Sequence, residues 1–566
     1  MRFRLFIWFV CVFVSVGEKA NAQVPQYAFR VSFSDKKGSL KLSDSASFLS
    51  TRALTRRAHR GMVVDTLDIP VSPAYLDSVQ NITGGSIHLT SRWMNYCVVI
   101  VTDSTRIALL NSKLFIKNTN FVAYYPSGGY HRSSGSNPKF NIETNSLTNA
   151  GKATDDTKAY YGATYDQTTM VSGTCLHDQG DDGQGMLIAV LDEGFQGVDL
   201  HPGFDSLRKT GRIIDTHDFV HQASSVYNIA SLHGTEVLSD MAGYEPGVFV
   251  GSAPLATYAL YVTEDLDSEQ PVEMDDMVAG MERADSIGAD VISTSLGYDV
   301  FDWTSLSYTN IDGKTTVAAK GTNIATQKGM LVVPTAGNDG STSFYYTLTP
   351  GDADSGLTIG AVDINKKIVG FTGHGPNSSG LLKPDVCALG RGTPILTVNS
   401  GNYIIGSADG TSLATPIIAG FAACLWQANP YKLPFDIRTA IINSADSIST
   451  PGEQRGYGVP DFCKAYKTVG VKNITAPQEN TEWLKVSPNP FSGQIHIDLK
   501  NTSTEIIYFE LADVTGRIVM TYQWFVTTSE QNVNIATPTF LPQGMYFLRA
   551  VTDTKSVTLK LIHAAH

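Results

Sequence analysis

Three short runs constrain this chain more than any other feature. Met186-Leu187-Ile188-Ala189-Val190-Leu191, Asp290-Val291-Ile292-Ser293-Thr294-Ser295 and Met330-Leu331-Val332-Val333-Pro334 are apolar or small without alternation. A strand wetted on one face alternates apolar and polar residues. A strand covered on both faces does not, and such strands belong to parallel sheets flanked by helices. Ahead of the second run, Met277, Met281, Ala284 and Ile287 recur at helical spacing and Gly288 supplies a stop. This alternation of strand and helix over residues 160–469 predicts an α/β domain with a mainly parallel sheet. Reacting groups in such sheets collect beyond the carboxyl ends of the strands, so chemistry is to be sought in the residues after each run.

At 566 residues the chain is longer than one core normally serves. Arg2 and Arg4, an apolar run from Leu5 to Val16 and the triplet Ala20-Asn21-Ala22 have the pattern of a secretory signal over residues 1–22. Residues 23–125 read as a small α+β unit. Tyr27–Phe33 alternates, Asn95–Val101 is a more buried strand, Asp103-Ser104-Thr105 starts a helix and Phe115–Tyr125 is a further apolar stretch. Residues 126–159 are rich in Ser, Gly, Asn and Thr and read as an exposed linker open to proteolysis. A second linker at 470–483 leads to residues 484–566, where alternation returns in Gln494–Leu499 and Met545–Val551, as in a small all-β unit. After the signal no run reaches the length of a transmembrane helix. A formal net charge of −12 argues against nucleic acid as a partner. Six cysteines without CxxC spacing indicate neither a zinc cage nor a disulfide framework, and a Cys175–Cys463 bridge is allowed but not demanded.

Gly410-Thr411-Ser412-Leu413-Ala414-Thr415-Pro416 leads into residues that stay apolar or small as far as Trp426, which predicts a buried helix whose first turn begins at Ser412. Pro416 is expected near that start, where a missing N–H costs little. Alone, Ser412 reads as a helix cap. Asp192-Glu193-Gly194 closes the first run, His233-Gly234-Thr235-Glu236 heads a helix in which Gly234 leaves room beside the histidine, and Asn338 ends Thr335-Ala336-Gly337-Asn338 after the third run. Singly, these are a turn former, a helix cap and a loop amide. Together they meet the needs of acyl transfer by serine: a nucleophile, a base for its proton, a carboxylate that fixes the base's tautomer and a donor for the oxyanion.

In these motifs and in their order Asp, His, Asn, Ser, the chain resembles the subtilisin-like serine proteases, the subtilases, over about 300 residues. The resemblance implies a three-layer α/β domain and a secreted endopeptidase that cuts polypeptide substrates through an acyl-enzyme. Asp192, His233 and Ser412 are then the triad, and Asn338 with the Ser412 N–H binds the oxyanion. Ser295-Leu296-Gly297 resembles the segment whose backbone pairs with an extended substrate, and Lys383-Pro384-Asp385-Val386 resembles the lead-in to the serine region. Two positions depart from the family. Glu193 stands where Ser or Thr is usual, and strand alternation predicts that it points away from Asp192. Leu413 replaces Met at similar volume. The resemblance makes residues 23–125 a propeptide, an intramolecular inhibitor and folding aid. Val486–Phe491, Leu511–Arg517 and Leu541–Tyr546 resemble the β-sandwich-like sorting domain read by the type IX secretion machinery of some Gram-negative bacteria. That implies passage through the periplasm to the medium or the outer cell surface. A catalytically silent surface binding protein of the same fold is the alternative.

Other groupings carry less. His217 and His221, with His201 and Asp199, have no fixed ligand pattern and read as solvated side chains. Glu264, Asp265, Asp267 and Glu269 lack the spacing of an EF-hand loop and read as an acidic solvated face. Structural calcium, which many subtilases use, is therefore not indicated, and the chemistry requires no cofactor. His374 is the remaining histidine to test as a base, although it falls between the oxyanion and serine motifs. The preferred substrate side chain is not legible, because the pocket walls come from loops around 295–297 and 337–347.

Overall fold

The computed structural model describes residues 24–126, 145–146, 156–469, 483–500, 506–513, 518–526, 530–537, 541–552 and 556–564. The signal at 1–22, most of the linker at 126–159 and nearly all of that at 470–483 lie outside the described residues. Within the first linker, Asn145–Ser146 pairs antiparallel with Ser407 and Gly406, and Asp156–Tyr161 is helical.

Five strands form a parallel sheet in the order Leu331–Pro334, Val291–Thr294, Leu187–Asp192, Thr257–Val262, Ile213–Asp218. The three runs singled out in the sequence are adjacent strands, and every residue in them is buried. Alternate residues of Leu187–Asp192 serve two different cores. Ile188 and Val190 pack with the helices His233–Ala242 and Thr411–Gln427, whereas Leu187, Ala189 and Leu191 pack with Glu273–Ile287 and Val317–Gln327. Both faces are dry, which is why the sequence does not alternate. Each such Leu, Ile or Val contributes roughly 1.5–3 kcal/mol relative to exposure, and this holds the three layers together. Gly288 ends the Glu273–Ile287 helix in the left-handed region at φ 91°, as its spacing predicts.

The Thr411–Gln427 helix is buried from Thr411 to Trp426. It starts one residue earlier than predicted, and Pro416 is its sixth residue, inside the helix and not in its first turn. A prolyl nitrogen there has no hydrogen to donate to the Ser412 carbonyl four residues back. The Ser295 hydroxyl donates to that carbonyl at 2.7 Å and replaces the lost bond. Nearby, the fully buried Lys383 donates to Asp385 at 2.9 Å, to the Gly356 carbonyl at 2.8 Å and to Thr358 at 3.1 Å, which accounts for the Lys383-Pro384-Asp385 motif as a structural tie. Cys175 and Cys463 are bonded, joining the helices Thr174–His177 and Phe462–Val469, while Cys97, Cys387 and Cys424 are free and buried.

Toward the N-terminus, a four-stranded antiparallel sheet runs in the order Ser86–Ser91, Tyr96–Val101, Gln26–Phe33, Ile116–Tyr125, with helices Thr51–His59 and Pro73–Thr83. The helix expected after Asp103 is a 3-10 segment, Ser104–Ser112, capped by the Asp103 carboxylate. This unit sits against Glu273–Ile287, where Trp93, Tyr96, Val98 and Val122 share a buried core with Met277 and Met281, and ion pairs add to that contact. Arg30 grips Asp275 through two bonds of 2.6 Å. Arg56, Arg57 and Arg92 converge on Asp285 at 2.6, 2.6 and 2.9 Å, and Arg52 and Arg60 reach Asp290 at 2.6 and 2.7 Å. The Gln270 amide pairs with both the N–H and the carbonyl of Tyr124, at 2.7 and 2.9 Å. At the other end, strands between Leu484 and His563 form two antiparallel sheets joined by the parallel pair Phe491–His563, around a core that includes Phe491, Ile497, Phe509 and Leu559.

Asp285→Asn removes the charge shared by three guanidinium groups. Breaking a buried ionic contact costs about 3–5 kcal/mol, so hydrogen exchange in residues 26–125 of the full chain is expected to accelerate sharply. Unchanged protection in that sheet would show that the cluster does not hold the unit in place.

Candidate active site

Asp192 is the last residue of its strand, at the carboxyl edge of the sheet, and His233 is the first residue of its helix. His233 Nδ1 lies 2.7 Å from Asp192 Oδ1, which also accepts the Glu193 N–H at 2.9 Å. Both side chains are buried, at 0% and 4% exposure. Gly234 permits the approach, since a Cβ there would stand 2.4 Å from the Gly194 carbonyl oxygen and 2.9 Å from Asp192 Cβ. The carboxylate places the proton on Nδ1 and leaves Nε2 as the basic nitrogen. Burial opposes the imidazolium, but Asp192, followed by Glu193 and Glu236, outweighs it and raises His233 to about 9. Glu236, on the same helix, is pushed up to about 7 by burial although Thr397 donates to it at 2.6 Å.

Glu193 departs from the expectation that it would face outward. It is 6% exposed, because both faces of this sheet are covered, and its charge favours protonated His233.

Ser412 is the second residue of the Thr411–Gln427 helix, so its N–H has no carbonyl four residues back within the helix. Asn338 Oδ1 accepts the Thr411 N–H at 2.9 Å and the Thr411 hydroxyl at 2.8 Å, a pattern that turns the amide nitrogen away from Thr411. Thr335 and Thr411 are themselves joined at 2.8 Å. A Cβ on Gly410 would lie 2.7 Å from Ser412 Oγ and 3.7 Å from Asn338 Nδ2, so both groups face the space beside this glycine. They also line one cavity of about 20 Å³, together with Ser295, Gly297, Thr335, Gly337, Asp339, Leu348 and Thr411. Leu296 does not join them; it faces the core shared with the Glu273–Ile287 helix. The structure thus pairs Asp192 with His233 and gathers Ser412, Asn338, Ser295 and Gly297, and the two helices that carry His233 and Ser412 share a core. A hydroxyl at a helix amino terminus, an amide donor beside it and a carboxylate-oriented imidazole are the parts of an acyl-transfer site. The sequence reading missed Glu236, a charged residue one turn beyond His233, and Leu348, a leucine in a loop with no signal of its own.

The remaining groupings resolve structurally. His201 is buried and not solvated: its Nδ1 accepts the Gly203 N–H at 3.0 Å and its ring meets Phe204 and Tyr403. Glu264 and Glu269 are buried too, because the loop folds back over Glu273; the three carboxylates have oxygens within 4.8 Å of one another, the kind of oxygen set a hard cation would meet. Tyr298 donates to Glu264, and the Asp265 and Gln270 N–H groups donate to Glu273. His374 stacks on Tyr345 with ring centroids 3.8 Å apart.

Residues 183–459 match the family model described as Subtilase family, residues 28–137 that described as Peptidase S8 propeptide domain, Bacteroidota, and residues 485–564 that of a Secretion system C-terminal sorting domain. Similar proteins include a thermophilic serine proteinase of Bacillus sp. (strain AK1), 32% identical over 320 residues that cover 56% of this chain and 70% of the relative. The serine protease AprX of Bacillus subtilis (strain 168) is 30% identical over 294 residues, 47% of this chain and 62% of the relative. Subtilisin BL of Lederbergia lenta is 29% identical over 281 residues, 50% of this chain and 90% of the relative.

Glu193→Gln removes one of the charges that favour protonated His233. Histidine-selective NMR titration is expected to show a lower His233 pKa in the variant than in the wild type, with the Asp192 contribution retained. A pKa that stays in place would show that the Glu193 charge does not reach the ring.

Proposed function

The chain belongs to the subtilase family, and on that footing we propose that Asp192, His233 and Ser412 are its catalytic triad, with Asn338 and the Ser412 N–H binding the oxyanion. It is a subtilisin-like serine endopeptidase with a propeptide domain and a C-terminal sorting domain, the latter implying secretion or display at the cell surface. The observation that carries the assignment of roles is the buried 2.7 Å bond between His233 and Asp192, next to a helix that presents Ser412 beside Asn338.

In this mechanism the neutral form of His233, which gains population as pH rises toward its raised pKa of about 9, takes the Ser412 hydroxyl proton at Nε2 as Oγ attacks the scissile carbonyl, and Asp192 stabilises the imidazolium. Negative charge on the tetrahedral oxygen meets the Asn338 amide and the helix amino terminus, whose donors are already in place. Collapse expels the amine, which takes its proton from His233, and leaves the acyl-enzyme. Water, activated by the same base, then releases the acid. Ser295 and Gly297 border the cavity where an extended substrate would lie.

The N-terminal unit acts as an intramolecular inhibitor and folding aid until it is cut away. The arginine clusters and the grip of Gln270 on the Tyr124 backbone support this reading, since together they lock one orientation. The C-terminal unit is read by type IX machinery, which carries the enzyme from the periplasm of a Gram-negative bacterium across the outer membrane.

After propeptide removal, a fluorophosphonate probe is expected to label the wild type and not Ser412→Ala. Equal labelling of the two would remove Ser412 from its role. Asn338→Ala is expected to lower kcat by about 10²–10³ with KM little changed, the magnitude known for loss of one oxyanion donor in subtilisin itself. A fall in KM-controlled binding alone would overturn the oxyanion assignment.

A further inference from the structure

We propose that Leu348 sets the specificity of this enzyme by closing the cavity beside Ser412, so that it cuts after small uncharged residues: glycine, alanine or serine. The inference rests on the reading of Ser412 as nucleophile and takes this cavity as the seat of the side chain that precedes the scissile bond.

The cavity holds about 20 Å³. One water molecule needs about 10–15 Å³ of such space, so there is room for one or two heavy atoms and none for an aromatic ring or a branched butyl group. The cause is a single side chain. Gly297 and Gly337 lack side chains and would leave an open slot between their loops, but Leu348 fills it. A Cβ on Gly297 would lie 2.9 Å from Leu348 Cβ, and one on Gly337 would lie 2.4 Å from Leu348 Cγ and 2.7 Å from Cδ1. Gly337 also sits at φ 85°, where a side chain is strained, so the leucine faces a wall that has no atoms to trade for its own.

Leu348 is not a movable lid. Its N–H donates to the Ala336 carbonyl at 3.1 Å, the Thr347 N–H to the His374 carbonyl at 2.9 Å, and the Tyr298 N–H to the Thr349 carbonyl at 2.8 Å. The segment is stitched into both walls of the cavity, and the side chain is 4% exposed. A larger substrate group would have to displace a packed leucine on a backbone fixed from two sides. A close-packed contact yields to such an intrusion only at substantial cost.

The test uses the secreted, processed enzyme and four tetrapeptide anilides that differ only in the residue before the scissile bond: Ala, Leu, Phe or Lys. The wild type is expected to favour Ala over Phe by at least about 100-fold in kcat/KM, since a misfit of even one methylene in a pocket is worth about 10–200-fold. Leu348→Ala is expected to reverse that order, with rates normalised to active sites counted by the fluorophosphonate probe so that misfolded protein does not enter. Wild-type preference for Leu, Phe or Lys would overturn the inference while leaving the catalytic reading intact. Retention of the Ala preference by active Leu348→Ala would overturn the role of this side chain. Loss of both labelling and cleavage in the wild type would overturn the catalytic reading, and this inference with it.

Discussion

The Thr411–Gln427 helix is buried from Thr411 to Trp426, so the polar groups at its amino end need partners within the protein, and most of the site follows from that constraint. Asn338 accepts the Thr411 N–H and hydroxyl, and Ser295 donates to the Ser412 carbonyl that Pro416 cannot reach. These bonds satisfy a helix terminus. They also orient the Asn338 amide, hold the cavity edge at Ser295 against the helix and leave the Ser412 N–H at the open end. A requirement of packing and a requirement of chemistry are met by the same groups.

The histidine arm depends on a different balance. Asp192, and more weakly Glu193 and Glu236, favour the protonated ring of His233 in a region where burial alone would keep it neutral. Coulombic attraction prevails because it acts at 2.7 Å in a dry setting. The N-terminal unit combines a shared apolar core with ion pairs of Arg30, Arg52, Arg56, Arg57, Arg60 and Arg92 on three aspartates. Buried ion pairs define an orientation well and contribute modest net adhesion, because desolvation offsets the attraction.

The cavity wall shows how specificity is decided apart from catalysis. Ser295, Gly297, Gly337 and Asn338 border it in positions that the motifs already indicate, while Leu348 comes from a segment without a motif. Its effect arises because its backbone bridges Ala336 and the neighbourhood of Tyr298, which directs the side chain between two glycines.

What could be read from the residues alone was whatever depends on local pattern. Non-alternating runs report burial on both faces, so the three central strands and their carboxyl-end residues Asp192, Ser295 and Asn338 were legible. Gly234 and Gly288 were legible because absence of a side chain has a direct steric meaning. Four outcomes were not: the buried Glu193, Pro416 inside its helix with Ser295 as substitute donor, the Cys175–Cys463 bridge, and Leu348 against Gly297 and Gly337. Each depends on which distant segments pack together. Periodicity along a chain carries the direction of a side chain only while the strand or helix continues, and beyond its last residue the neighbours are chosen by the assembled core.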